Sequence, residues 1–410
     1  MTSIEWINEC SSAFRLMLAT SWLAPDGRRP EQKEAIRRAC SAGPDWDEYL
    51  CLVDRHRIPA MSWASLKCVP DLCLQENVVR ELRRRSDACR MQSMLRLQLL
   101  AGVLRRFNRA SIPVMPLKGP LLSIEMYGDP GLRQSKDLDI LVRREHVAAA
   151  QACLEETGWS RCEKSSILTQ RQLEFNMRHE HHTDYVHART DCELELHWRT
   201  VWESPEEAGD HMDRSLTAEW QGCTYQAMDR IDLTLYLCNH GSNHAWFRAK
   251  WLGDLARIHA AGSVDWMAAL TRARQSGAER PLLLCLRLLE DAYRIPAPSA
   301  ARNSIRALPP VLIGKSIREL ITLAEPCTRG SLASLLDRFR NARFSRRLWP
   351  ARSLWESIAA VALCPADIKL LCLPDRLFWL YLPLRPFLWI WRRVRDFLRE
   401  SRVRAGGGGL

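Results

Sequence analysis

Two aspartates at alternate positions open a run that turns wholly apolar, Asp137-Leu138-Asp139-Ile140-Leu141-Val142. In a β-strand successive side chains point to opposite faces, so Asp137 and Asp139 project together while Leu138 and Ile140 project the other way. Two carboxylates held this close repel each other. A hard divalent cation between them makes the arrangement chemically sensible, because Mg²⁺ takes oxygen ligands, usually one or two carboxylates together with substrate phosphates. Alone, an Asp-x-Asp is more often a solvated strand edge or turn, so the surrounding elements decide its meaning.

Those elements follow a definite order. Ile112 to Leu117 is a short apolar run ending in Lys118-Gly119, which predicts a strand delivering a tight turn. A short helix is expected from Leu121 to Met126, and the turn formers Gly128-Asp129-Pro130-Gly131 break the chain after it. Residues 144–157 read as a helix stopped by Gly158, and residues 160–190 as further strands and a loop. Cys192 to Trp198 alternates again and predicts a strand with Glu193, Glu195 and His197 on one face. A carboxylate from that face beside the aspartates would complete a three-carboxylate, two-metal site.

Either side of this core the pattern is helical. Residues 1–109 read as a helical region whose clearest element runs from Val78 to Arg109, with Leu82, Leu95, Leu99, Val103, Leu104 and Phe107 at helical spacing. A catalytic core is expected over 110–204, a mainly helical region over 205–400, and a flexible tail over 401–410. The fifteen cysteines contain no Cys-x-x-Cys pair, and many sit in apolar helical settings. With acidic Glu5 and Glu9 where a secretory leader would be basic, they read as small buried hydrophobes of a cytoplasmic protein. The net charge of +11 favours anionic partners without choosing among nucleotides, nucleic acid and lipid.

The motifs together resemble one family. Leu117-Lys118-Gly119-Pro120, Tyr127-Gly128-Asp129-Pro130, Arg133, the Asp137–Val142 run and Glu195-Leu196-His197-Trp198-Arg199 are similar to the uncharacterised nucleotidyltransferase family of the polymerase-β superfamily. The likeness continues in His240-Gly241-Ser242-Asn243-His244, Lys250-Trp251-Leu252, Asp254 and Leu382-Pro383-Leu384-Arg385-Pro386. The resemblance implies an α+β fold, a small mixed sheet flanked by helical N- and C-terminal regions. It also implies Mg²⁺- or Mn²⁺-dependent transfer of a nucleotidyl group from an NTP to a hydroxyl acceptor. Asp137 and Asp139 match the metal-binding pair and Glu195 the third acidic position, with Glu193 its rival on the same face.

The chain departs from the wider superfamily in having Lys118-Gly119 where a Gly-Ser turn holds the phosphates, with seventeen residues between Gly119 and Asp137. Lys118 can contact phosphate as a point charge, and Gly119 lets the backbone approach. Arg133 reads either as a phosphate clamp or as an ion-pair partner of Asp129. The acceptor is expected to be a small molecule or a protein, since no RNA-binding module is recognisable. The competing reading is a degenerate transferase fold serving as a binding or regulatory scaffold.

Three further features stand apart. His179, His181, His182 and His187 lack the spacing of a structural zinc site and read as loop histidines near the active site. His240 and His244 share a helical face but lack the glutamate of a zinc-protease motif. Residues 371–405 carry eight arginines against three acidic residues, with seven aromatics, which suits either a closing helix or peripheral contact with an anionic membrane surface.

Overall fold

The alternation at positions 138, 140 and 142 is realised as one apolar face of a five-stranded sheet. The computed structural model describes residues 5–162, 169–200, 210–322, 341, 343–349 and 363–406. Strands β1 (Val114–Pro116), β2 (Asp137–Val142), β3 (Trp159–Arg161), β4 (His182–His187) and β5 (Glu193–His197) form the sheet. Their order is β1-β2-β5-β4-β3. β2 and β5 run parallel; the other three pairings are antiparallel. This is an α+β fold, a small mixed sheet flanked by extensive N- and C-terminal helices.

The two faces of the sheet differ because the sequence alternates. Leu138, Ile140 and Val142 of β2 join Leu194 and Leu196 of β5, with Tyr185 and Trp159, in one apolar cluster. Leu97, Leu100, Leu104 and Phe107 close that cluster from the Glu76–Arg109 helix, and Ala150 and Leu154 from the Val147–Glu156 helix. Burying each large apolar side chain is worth about 1.5–3 kcal/mol. A one-residue slip of β2 would exchange them for Asp137 and Asp139, so burial pins the register. Leu141, with Met115 and Leu117, belongs instead to a second cluster shared with the Arg230–Asn243 and Ala249–Ala260 helices. The carboxylate face of the sheet therefore looks toward the C-terminal helices.

Several expectations shift at their edges. The long helix begins at Glu76, and Leu95, expected on its buried stripe, is 40% exposed. The helix after Lys118-Gly119 spans Pro120–Tyr127. Between β3 and β4 lies the Gln170–His179 helix, where the sequence reading has strands and a loop. It opens with a capping box in which the Thr169 and Gln172 side chains each bond the other's backbone. The mainly helical reading after residue 205 misses a hairpin, β6 (Leu216–Trp220) and β7 (Cys223–Ala227). Its turn places Gln221 and Gly222 at φ of 48° and 74°, the left-handed pair that a tight two-residue hairpin turn demands. Asn108 fastens it to the long helix, donating to the Thr224 carbonyl at 2.9 Å and accepting from its amide at 3.0 Å.

At the C-terminal end the Tyr381–Gly406 helix runs into the stretch expected as a flexible tail, and residues 407–410 lie outside the described residues. Tyr381 and Leu388 are buried, and Arg392 pairs with buried Asp367 at 2.8 Å, while Phe387, Ile390, Trp391 and Val394 are exposed. No helix among the described residues is long and apolar enough to cross a membrane. The cysteines among the described residues are free thiols.

Candidate active site

Strand pairing assembles the polar face. The β2–β5 register sets Asp137 opposite Glu193 and Asp139 opposite Glu195. The β4–β5 register sets His182 opposite His197 and Asp184 opposite Glu195. Side chains distant in sequence thus stand in one cross-strand row. A cavity of about 440 Å³ opens over it, lined by Lys118, Asp137, Glu195 and His197 on the sheet side and by Tyr236, His240 and His244 from the helix opposite. That volume lies in the range of small-molecule sites. A second cavity, of about 470 Å³, lies between the N-terminal helices and residues 292–295; among the described residues Glu31 is the one carboxylate lining it, and neither Asp137 nor Asp139 does.

Lys118 reaches the pair because Leu117 still bonds in ladder fashion to the Asp139 carbonyl, 2.9 Å away. Its ammonium lies 3.1 Å from Asp139 Oδ1, with side chains 13% and 1% exposed. Gly119 then turns the chain at φ 90° into Pro120, the first residue of the next helix. A Cβ at Gly119 would meet nothing closer than 3.9 Å, so backbone conformation rather than crowding calls for glycine here. Asp139 Oδ1 also faces His197 Nε2 at 3.5 Å. Oδ2 is buried with no hydrogen-bond donor among the described residues. A buried carboxylate oxygen with unused lone pairs fits a cation, as does the convergence of Asp139, Glu195 and His197 ligand atoms within 4.8 Å of one another.

The two aspartates are driven apart in acidity. Burial, followed by repulsion from Asp139, pushes Asp137 up from its ordinary value. Burial works in the same direction on Asp139, but Lys118 and His197 outweigh it and hold its carboxyl well below the usual range. Burial alone would discharge Lys118, yet the field of Asp139 keeps the ammonium charged far above its normal range. For His197 burial is likewise overcome, by hydrogen bonds to Asp139 and Glu195, and its proton is held more firmly. The metal-free site is thus an interlocked set of Lys118, His197 and three carboxylates.

Glu193 and Glu195 part company in space. Glu193 is drawn out by Lys136, 2.6 Å away, with both side chains about half exposed. Glu195 lines the cavity and accepts from His197 Nε2 at 3.0 Å. Lys136 is therefore the tether of Glu193. Arg133 is not on the cavity wall. Neither sequence reading of it matches: its Nε donates to Asp254 at 2.8 Å, with both side chains 3% exposed or less, and Asp129 pairs with Arg90 instead. Lys250 donates to the Gln134 carbonyl at 2.9 Å, and burial with its arginine neighbours brings its pKa down to about 7. Arg133 and Lys250 together pin residues 133–134, just before β2, onto the Ala249–Ala260 helix.

The histidine groups also resolve. His179 stacks on Phe175 with ring centroids 3.9 Å apart, and His187 bonds Thr190, so both leave the site. His181 and His182 line the cavity. His240 and His244 lie on its far wall, their rings 4.9 Å apart and each packed on Trp251. Gly241 between them explains part of the motif, since a Cβ there would fall 2.4 Å from the fully buried indole of Trp246. Sequence reasoning missed Tyr236 and Asn243 as wall residues. Tyr236 lies four positions before His240, and that helical spacing was the available signal.

Comparison with known proteins adds one result. No curated protein and no solved structure matches the chain. The model of an uncharacterised nucleotidyltransferase family matches residues 42–294, more than half of the chain and the whole of the sheet and its cavity. That family carries nucleotidyltransferase-type chemistry in general, and the Asp/Glu/His clusters over the sheet could coordinate a divalent metal. The chain belongs to this uncharacterised nucleotidyltransferase family of the polymerase-β-like superfamily.

Proposed function

We propose that the protein moves an NMP group from an NTP to a hydroxyl on a small molecule or a protein. The observation that carries this reading is the β2–β5 register, which pairs Asp139 with Glu195 beneath a cavity lined by Asp137, Glu195 and Lys118. Asp137, Asp139 and Glu195 would hold Mg²⁺ or Mn²⁺, which supplies charge neutralisation for the triphosphate and lowers the pKa of the attacking hydroxyl. In the transfer, the acceptor oxygen forms a bond to the α-phosphorus, the bond from that phosphorus to the β-phosphate bridging oxygen breaks, and pyrophosphate leaves with the electron pair. The acceptor proton passes to the Glu195 carboxylate. Lys118 contacts the phosphates as a point charge, and Gly119 lets the backbone amides that follow approach them. Arg133 acts at one remove: through Asp254 it holds the chain entering β2, and hence the Asp137 backbone, in place.

One observation favours a second reading. Lys118 already neutralises Asp139 at 3.1 Å, so the carboxylate face is stable without a metal, as a non-catalytic scaffold would require. Thermal unfolding with Mn²⁺ and each of the four NTPs, together with a pyrophosphate-release assay, separates the two. The enzyme reading predicts stabilisation by metal and NTP together, absent in Asp137→Ala, and pyrophosphate release on adding acceptor. No metal-dependent response to any NTP would favour the scaffold.

A further inference from the structure

Beside the carboxylates the sheet carries a second constellation of different chemistry. His182 of β4 and His197 of β5 are register partners, and His181 precedes β4 with its carbonyl held by the Trp198 amide at 3.1 Å. The three rings stand 4.3, 5.0 and 5.7 Å apart between centroids. One nitrogen from each lies within 4.8 Å of the others. All three line the cavity.

Two features distinguish this group from ordinary packing of histidines. Hydrogen bonding leaves nitrogens unused: His182 Nδ1 and His197 Nδ1 are buried with no partner among the described residues. Their other nitrogens are placed by carboxylates, His182 Nε2 at 3.2 Å from Asp184 and His197 Nε2 at 3.0 Å from Glu195. A carboxylate behind an imidazole fixes the ring and makes its free nitrogen a better donor, as around metal-bound histidines. The rings also face one common opening, the cavity of about 440 Å³ over the sheet.

We infer that His181, His182 and His197 form a binding site for one borderline transition-metal ion of the Zn²⁺ or Co²⁺ class, next to the carboxylate site. Imidazole nitrogen suits such ions, whereas Asp137 and Asp139 supply the hard oxygen that Mg²⁺ takes. Three protein nitrogens leave a fourth position open toward the cavity, the pattern of zinc sites that also bind water or substrate. Tetrahedral bonds of about 2.1 Å place donor atoms roughly 3.4 Å apart, so nitrogens that already lie within 4.8 Å of one another need close only slightly when the ion binds. The inference does not depend on the nucleotidyl-transfer reading; a scaffold with the same face would bind the same ion.

Co²⁺ alone is the probe, added to the full-length metal-free protein and read by its visible ligand-field absorption, with Zn²⁺ calorimetry for stoichiometry. Wild type and Asp137→Asn should each bind one equivalent, with the intense bands of a four-coordinate nitrogen-rich site. His181→Ala and His182→Ala should each weaken binding at least tenfold, and His182→Asn should do so with less risk to the fold. Circular dichroism and thermal unfolding check that each variant is folded. Binding abolished by Asp137→Asn but retained in both histidine variants would place the ion on the carboxylates and overturn the inference. So would the absence of saturable Co²⁺ binding by folded wild-type protein. Wild-type protein that binds Co²⁺ as predicted but transfers no nucleotidyl group would count against the nucleotidyl-transfer reading alone.

Discussion

Asp137 and Asp139 are neighbours on one strand face, yet the protein treats them differently. Asp139 is almost fully buried and balanced by Lys118 and His197; Asp137 is only half-buried, and repulsion from Asp139 adds to the cost of ionising it. Their isosteric amides should therefore act in opposite directions on the metal-free protein. Asp137→Asn removes a strained charge and should raise the unfolding temperature. Asp139→Asn strands a buried ammonium and should destabilise the fold by about 3–5 kcal/mol, the usual result of breaking one side of a buried pair. Denaturant unfolding in chelator checks both signs. The face shared by these residues was legible from period-two alternation alone. That Glu195 rather than Glu193 lines the cavity was not, because Lys136 draws Glu193 outward, a reach that no spacing rule reveals.

Among the elements, the approach to β2 is held by contacts from far along the chain. Arg133 and Asp254 are 121 residues apart and meet in the interior, where the ion pair bridges the pre-β2 loop and the Ala249–Ala260 helix. Asp254→Ala leaves Arg133 buried without its partner and should cost about 3–5 kcal/mol. It should also reduce metal-dependent NTP binding, because β2 loses its fixed entry. Chemical unfolding gives the first quantity and calorimetry with Mn²⁺ and an NTP the second. Sequence reading recovered the strong periodic elements, the long helix and the β2 and β5 strands, because their burial pattern is written locally. It missed the Gln170–His179 helix and the β6–β7 hairpin. The helix has only Gln172 and Asn176 buried, too little apolar stripe to display a helical period, although its Thr169–Gln172 capping box was visible. The hairpin is short and half exposed, with its turn signalled by Gln221-Gly222 rather than by a commoner Asn-Gly.

For the molecule as a whole, the buried histidines make stability depend on pH. His56 is fully buried, and its Nδ1 accepts from the Ala249 amide at the start of a helix, 3.0 Å away. Burial, with Arg55 and Arg248, lowers its pKa to about 3. His181 is lowered too. For both, the unfolded chain binds more protons than the folded one below pH 6.5, so stability falls as pH drops from 6.5 toward the folded values. His197 works oppositely: its contribution is fully present below pH 6.5 and is lost as pH rises through its elevated folded pKa. Each neutral buried histidine contributes a slope of up to about 1.4 kcal/mol per pH unit in its window. Urea unfolding should therefore show lower stability at pH 5 than at pH 6.5. His56→Asn, which keeps an acceptor for Ala249 but cannot titrate, should flatten that slope.

The central claim, that the aspartate pair on β2 serves nucleotidyl transfer, is tested most directly by following label from each of the four α-labelled NTPs into cell lysate. Wild-type protein with Mg²⁺ or Mn²⁺ should transfer label from a preferred NTP to a discrete acceptor, and Asp137→Ala/Asp139→Ala should reduce transfer by on the order of 10³-fold or more, equivalent to several kcal/mol of lost transition-state stabilisation. Equal labelling by wild type and a folded double variant would contradict the account.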